Sequence, residues 1–192
     1  MNGIIGQKIG MTTYFQNKKA VSSTVILAVP NQILQVKTKD KDGYSALKLG
    51  IDEIKEKKQT KKYRKIQELP IREEEEKQYK SGDTLDLRQF KIGDKVKVSG
   101  LSKGKGFAGV IKKYGFSRGP ETHGSEHHRA PGSIGSMFPQ RVFRGKKMPG
   151  RMGQNQITIK NLEIINIDSK NNLICLKGAI PGRNGSFIFI KD

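Results

Sequence analysis

Apolar and polar positions alternate along the first fifty residues in two pairs of runs. Ile4 to Phe15 and Ala20 to Val29 flank the polar stretch Gln16-Asn17-Lys18-Lys19, which predicts a β-hairpin. Ile33 to Lys39 and Tyr44 to Ile51 flank Asp40-Lys41-Asp42-Gly43, and an Asp-Gly step favours a tight turn. Alternation returns at Thr84-Leu85-Asp86-Leu87 and is strict at Lys95-Val96-Lys97-Val98, as one solvated and one buried face require. The C-terminal part supplies four more runs: Gln156 to Lys160, Leu162 to Asp168, Leu173 to Lys177 and Phe187 to Ile190. Asp168-Ser169-Lys170-Asn171-Asn172 predicts a hairpin turn between two of them. Many short strands at even spacing with little helix predict a mainly β fold, a small β-barrel.

Two stretches break the pattern. Residues 52–80 hold 8 acids and 10 bases, including Glu73-Glu74-Glu75-Glu76, and few apolar positions. They are expected to form a charged insertion, a solvated helix or an irregular mobile excursion. Residues 101–155 carry 11 of the 22 glycines, 4 of the 7 prolines and all three histidines. No apolar period runs through them, and a loop of that length without secondary structure is normally functional or disordered. The chain therefore divides into a β-barrel body, 1–100 with 154–192, and an extension loop, 101–153.

Charge gives the extension a purpose. The chain has 37 Lys and Arg against 18 Asp and Glu, a net +19, and such an excess needs a polyanion to neutralise it. Residues 101–155 alone hold 11 Lys and Arg against Glu121 and Glu126, a net +9. Glycine lets a backbone approach phosphate closely, and proline limits the entropy lost on ordering. Arg and Lys neutralise phosphates, while Phe and Tyr stack on unpaired bases. Phe107, Tyr114, Phe116, Phe138 and Phe143 are interleaved with the charge, along with Met137, Met148 and Met152. The candidate RNA-binding residues are Lys103, Lys105, Lys112, Lys113, Arg118, His123, His127, His128, Arg129, Arg141, Arg144, Lys146, Lys147 and Arg151.

Other classes fit poorly. No apolar run approaches the roughly 20 residues of a membrane span, and the opening Met1-Asn2-Gly3-Ile4-Ile5-Gly6 lacks a secretory pattern. A single cysteine, Cys175, excludes an internal disulfide framework and is expected to be a small core residue in a reducing compartment. Gly104-Lys105-Gly106-Phe107-Ala108-Gly109 matches a dinucleotide fingerprint, but that fingerprint needs a parallel βαβ unit. Here at most a short helix over Phe107 to Lys113 follows it. The three histidines and Ser125 have no aspartate between Asp94 and Asp168 to orient them, so neither metal binding nor catalysis is expected.

Five blocks carry a resemblance. Gly3-Ile4-Ile5-Gly6-Gln7-Lys8-Ile9-Gly10-Met11-Thr12, SGLSKGKGFAGVIKKYGF (99–116), HRAPGSIG (128–135), RVFRGKKMPGRMG (141–153) and KGAIPGRNG (177–185) occur in this order. Together they resemble the universal large-subunit ribosomal protein three family in its bacterial form. The resemblance implies a translation-protein-type barrel on the outside of the large subunit and a loop threading rRNA toward the peptidyl-transferase centre. Its tip would be Ser136, Met137, Phe138, Pro139 and Gln140. It implies a non-enzymatic role: binding large-subunit rRNA early in assembly and bracing the RNA catalytic centre, beside neighbouring large-subunit ribosomal proteins. No cofactor, membrane or small-molecule substrate is implied, structural Mg2+ being held mainly by the rRNA, and the expected location is cytoplasmic, in the large subunit. Two departures stand out. The span 52–80 is shortened and rewritten, and Met137-Phe138 precede Pro139 where some bacterial members carry a methylated glutamine, so that modification is not carried over.

Overall fold

A computed structural model describes residues 2–16, 18–53 and 62–192. The chain divides into two compact units, Met1–Ser102 with Gln156–Asp192, and Lys103–Asn155. Before the division at residue 102 run β1 (Gly3–Gln16), β2 (Lys19–Leu27), β3 (Asn31–Lys37), the single turn α1 (Lys39–Asp42), β4 (Ala46–Glu53), β5 (Tyr63–Pro70), β6 (Thr84–Leu85) and β7 (Lys95–Leu101). The second unit holds β8 (Phe107–Ala108), α2 (Val110–Tyr114) and β9 (Gly150–Arg151). The first unit resumes with β10 (Gln156–Asp168), β11 (Leu173–Lys177) and β12 (Phe187–Lys191). The fold is mainly β, as the alternation predicts.

Six strands close on themselves in the order β1-β12-β7-β10-β11-β2, every pair antiparallel. Their inward side chains are β-branched or leucine, which suits a pleated buried surface. Ile4, Ile26, Val96, Val98, Ile164, Ile174, Leu176, Ile188 and Ile190 fill the interior, with Leu87, Phe90 and Ile180 packed on them. β1 and β2 form the expected hairpin, with Gln16 paired to Lys19. β10 is one strand where the apolar pattern suggests two. Asn161 takes a positive φ of 59° there, and the register against β7 shifts between Ile159 and Leu162. A bulge bends the strand without ending it.

A second sheet, ordered β5-β4-β3-β6, packs on the outside of the barrel. Its Ile33, Leu47, Leu49, Ile51 and Leu69 share a core with Ile5 and Phe189 of the barrel wall. Neighbouring residues thus serve two cores: Ile4 and Ile190 point inward, Ile5 and Phe189 outward. Strands covered on both faces read as continuous apolar runs, which explains Phe187 to Ile190. The segments around residues 31–85 therefore build a sheet of their own, where the sequence reading places the whole body in one barrel.

The charged insertion is also more ordered than expected. Residues 63–70 are strand β5, paired along β4 from Ala46↔Pro70 to Glu53↔Tyr63, and Glu73–Gln78 form a 3-10 helix. Tyr63, Lys65, Gln67 and Leu69 share one face of β5, but only Leu69 is buried and Lys65 is exposed, so polar residues occupy half of the face that should announce a strand. Backbone pairing and one ion pair hold it instead. Lys37 Nζ lies 2.7 Å from Glu68 Oε1, and Tyr44 Oη donates to Glu68 Oε2 at 2.9 Å. The Lys37 hydrogen bond, then that of Tyr44, holds the Glu68 carboxyl below its usual range. Part of the expected excursion, residues 54–61, lies outside the described residues.

Two further expectations change. Thr84-Leu85-Asp86-Leu87 is a strand only at Thr84–Leu85, and Leu87 opens a short 3-10 turn that buries its side chain. Cys175 sits between the buried Ile174 and Leu176 and so faces outward, half-buried. All four residues 173–176 are apolar, so their phase is ambiguous in sequence. Desolvation still pushes its thiol pKa up, which keeps it in the unreactive form.

Asn31 makes the junction between barrel and sheet. β1 pairs β12 through Gly3–Gln7 but meets β2 only from Gln7 onward, leaving one edge of Ile5 open. The fully buried Asn31 amide fills that edge: Ile5 N–H donates to Oδ1 at 2.6 Å, and Nδ2 donates to Ile5 O at 3.0 Å and Val29 O at 2.8 Å. Asn31→Ala leaves a buried donor and acceptor unpaired, each costing about 1–3 kcal/mol. The expected loss is therefore about 2–6 kcal/mol by chemical denaturation, and a loss below about 1 kcal/mol would contradict this role.

Candidate nucleic-acid interface

Within residues 103–155 only Ala108 and Val110 are buried. Burial does not organise this unit; backbone closure does. β8 pairs antiparallel with β9 through Phe107↔Arg151 and Ala108↔Gly150. Lys105 N–H donates to Met152 O at 3.0 Å, and Met152 N–H donates to Gly106 O at 2.9 Å. This neck demands glycine at 153, where φ is +82° and a Cβ would stand 2.1 Å from Lys103 O. Above it, α2 runs for five residues and ends when Gly115, at φ 74°, caps Ile111 O.

Farther along, the chain folds through local bonds. Gly119 N–H donates to His128 O at 3.0 Å, and His128 Nδ1 lies 2.8 Å from Pro120 O. Ser136 Oγ donates to Phe138 O at 2.7 Å, and Arg141 N–H donates to Pro139 O at 2.6 Å, just after the cis Phe138-Pro139 bond. Each of these bonds joins residues of the same segment, so the segment is shaped without being packed.

The sequence-derived positions fall into groups. Lys103, Lys105, Lys112, Arg118, His123, His127, Arg129, Arg141, Arg144, Lys146, Lys147 and Arg151 are exposed, while Lys113 and His128 are half-buried. Lys113 and Lys147 come together over the ring of Tyr114, with Nζ 5.1 and 5.8 Å from its centroid. Tyr114 in turn lies 6.2 Å from Phe116, tilted by 43°. That makes a cationic aromatic platform. Arg118 is ion-paired with Glu121, and Arg151 is hydrogen-bonded to Gln154. One ring nitrogen of His128 is committed to the Pro120 carbonyl. The remaining positions are spread along the segment rather than gathered at one point.

All of Ser136, Met137, Phe138, Pro139 and Gln140 are exposed. Met137 is 78% and Phe138 70% exposed, with Phe143 at 58%. Large apolar side chains standing in water beside cations are suited to stacking on bases. Among the described residues no three His, Cys, Asp or Glu side chains are placed to hold a metal ion. Gly104 to Gly109 lies in an antiparallel neck rather than a βαβ unit, so the dinucleotide reading has no structural support. The neck pairing is the feature sequence reasoning misses; two-residue strands carry no periodicity, and only the paired glycines around 106 and 153 hint at it.

A sequence profile of the family described as Ribosomal protein L3 matches residues 72–177. The large ribosomal subunit protein uL3 of Carboxydothermus hydrogenoformans is 45% identical over 99% of this chain and 96% of its own length. The proteins of the same name from Oceanobacillus iheyensis and Petrotoga mobilis are 45% and 42% identical, over 98% and 100% of this chain and 95% of each relative. The chain belongs to the ribosomal protein L3 family. It is of the bacterial type, and the family is structural and non-enzymatic. No helix among the described residues is long and apolar enough to cross a membrane.

The neck geometry makes a test. Gly153→Ala is expected to open the neck, so that the amides of Lys105 and Met152 exchange at least tenfold faster while those of β7 and β10 are unchanged. Gly109→Ala, where a Cβ meets nothing within 4 Å, serves as the control and leaves both amides slow. Unchanged exchange in Gly153→Ala would contradict the close approach.

Proposed function

We propose that this structural, non-enzymatic constituent of the large ribosomal subunit binds large-subunit rRNA, acts early in assembly, and braces the RNA around the peptidyl-transferase centre through residues 103–155. The observation that carries this reading is the insert itself: 11 Lys and Arg against two glutamates on a backbone that buries only two residues. A unit built that way gains little by folding on itself and much by surrounding a polyanion. Exposed Lys103, Lys105, Arg129, Arg141, Arg144 and Lys146 would neutralise phosphates, and the Tyr114 platform with Lys113 and Lys147 would stack on a base. Residues 136–140 would lie nearest the catalytic RNA. The barrel and second sheet would anchor the protein and meet neighbouring ribosomal proteins.

Counterion release tests the reading. With roughly 6 to 10 phosphate contacts, affinity for large-subunit rRNA falls by about 10³–10⁵ between 50 and 200 mM salt. Replacing residues 117–146 by a short Gly/Ser linker keeps β8, α2 and β9 but removes Arg118, Arg129, Arg141, Arg144 and Lys146. The shortened protein is expected to bind more weakly with a shallower salt slope, and to give low subunit yield or slow peptidyl transfer in reconstituted particles. Wild-type slope, yield and rate together would overturn the role given to the insert.

A further inference from the structure

The block KGAIPGRNG (177–185) lies outside the insert, and its last residues form a turn held by several hydrogen bonds. Ile180 packs into the barrel core, which accounts for the first half of the block. The second half, Gly182-Arg183-Asn184-Gly185, buries only Gly182. Yet it is fastened from several sides. Lys8, 5% exposed, donates from Nζ to Ile180 O at 3.0 Å and Gly182 O at 3.1 Å. Gly185 N–H donates to Lys8 O at 2.7 Å, and Gln7 Nε2 donates to Gly185 O at 2.9 Å. Ser186 Oγ donates to Arg183 O at 2.6 Å. Gly182, at φ +90°, passes so close that a Cβ would stand 2.3 Å from Ser186 Oγ.

Burying an ammonium in a barrel wall is costly unless it is fully hydrogen-bonded, and a methionine of similar length would pack there without that cost. The ammonium is spent on carbonyls of the turn. The product is a rigid backbone presenting Arg183 and Asn184 to solvent. None of the ion pairs among the described residues involves Arg183. Among the described residues its guanidinium therefore has no carboxylate partner, on a chain of net charge +19.

We propose that the turn Gly182–Gly185 is a second, preformed RNA contact, in which Arg183 forks onto a backbone phosphate and Asn184 bonds the adjoining sugar, with Lys8 as the positioning residue. It rests on the rRNA-binding reading and adds to it a site on the barrel body. Preforming the turn lowers the ordering cost of binding. Arg suits this position because its planar fork matches a phosphate, and a phosphate contact shows itself in the salt slope.

The experiment measures binding of the full-length protein to a large-subunit rRNA transcript at several salt concentrations. Arg183→Ala, an exposed substitution, is expected to weaken binding about fivefold or more and to lower the log–log salt slope by about one. Lys8→Met keeps Arg183 but frees the turn: amides of 183–185 should exchange faster, and affinity should fall with the slope retained. Arg183→Ala binding with wild-type affinity and slope overturns the proposal, and the turn would then serve an acidic protein neighbour; weaker binding at an unchanged slope overturns the phosphate contact. Lys8→Met with slow amides and full affinity overturns the positioning role. Wild-type protein that fails to bind the transcript would overturn rRNA binding itself.

Discussion

The pairing of β7 with β10 is the constraint on which the molecule turns. It closes the six-stranded ring, and its last rung sets Leu101 opposite Gln156. The 53 residues of Lys103–Asn155 therefore leave and rejoin the body at one place. The ring closes by antiparallel hydrogen bonds, and the side chains of its core all come from the first unit. A long loop between paired strand ends costs the fold little, since closure entropy grows only slowly with length. Body and insert can then obey different physics, the one apolar burial and the other neutralisation of an outside charge.

Much of this was legible in the chain. Lys95-Val96-Lys97-Val98 alternates because one face is dry and the other wet. Residues 101–155 announce themselves by glycine, proline and charge, whatever their neighbours do. The candidate site is legible as a composition, and its cations are mostly exposed as that composition implies. Their grouping is not. That Lys113 and Lys147 meet at Tyr114 depends on the β8–β9 neck, whose two-residue strands are too short to leave a pattern.

The illegible parts of the fold have distinct causes. β5 hides because Lys65 and Gln67 share the face of the buried Leu69, so its evidence lies in its partner strand rather than in itself. The separation of the second sheet from the barrel depends on Asn31, whose amide stands in for a strand neighbour. No periodicity records a side chain that imitates backbone. Cys175 is misplaced because an unbroken apolar run conceals which residues face in. Lys8 looks like one more cation in a basic protein; only its burial shows that its charge is directed at the protein's own carbonyls.

The central claim is that the body is complete alone and the insert is completed by RNA. Hydrogen exchange on the free protein and on the same protein in assembled large subunits tests it most directly. The account predicts slow exchange throughout β1, β2, β7, β10, β11 and β12 in both states. It predicts fast exchange across residues 129–147 in the free protein and strong protection of those amides in the subunit. Residues 129–147 already protected in the free protein, or barrel strands protected only in the subunit, would contradict it.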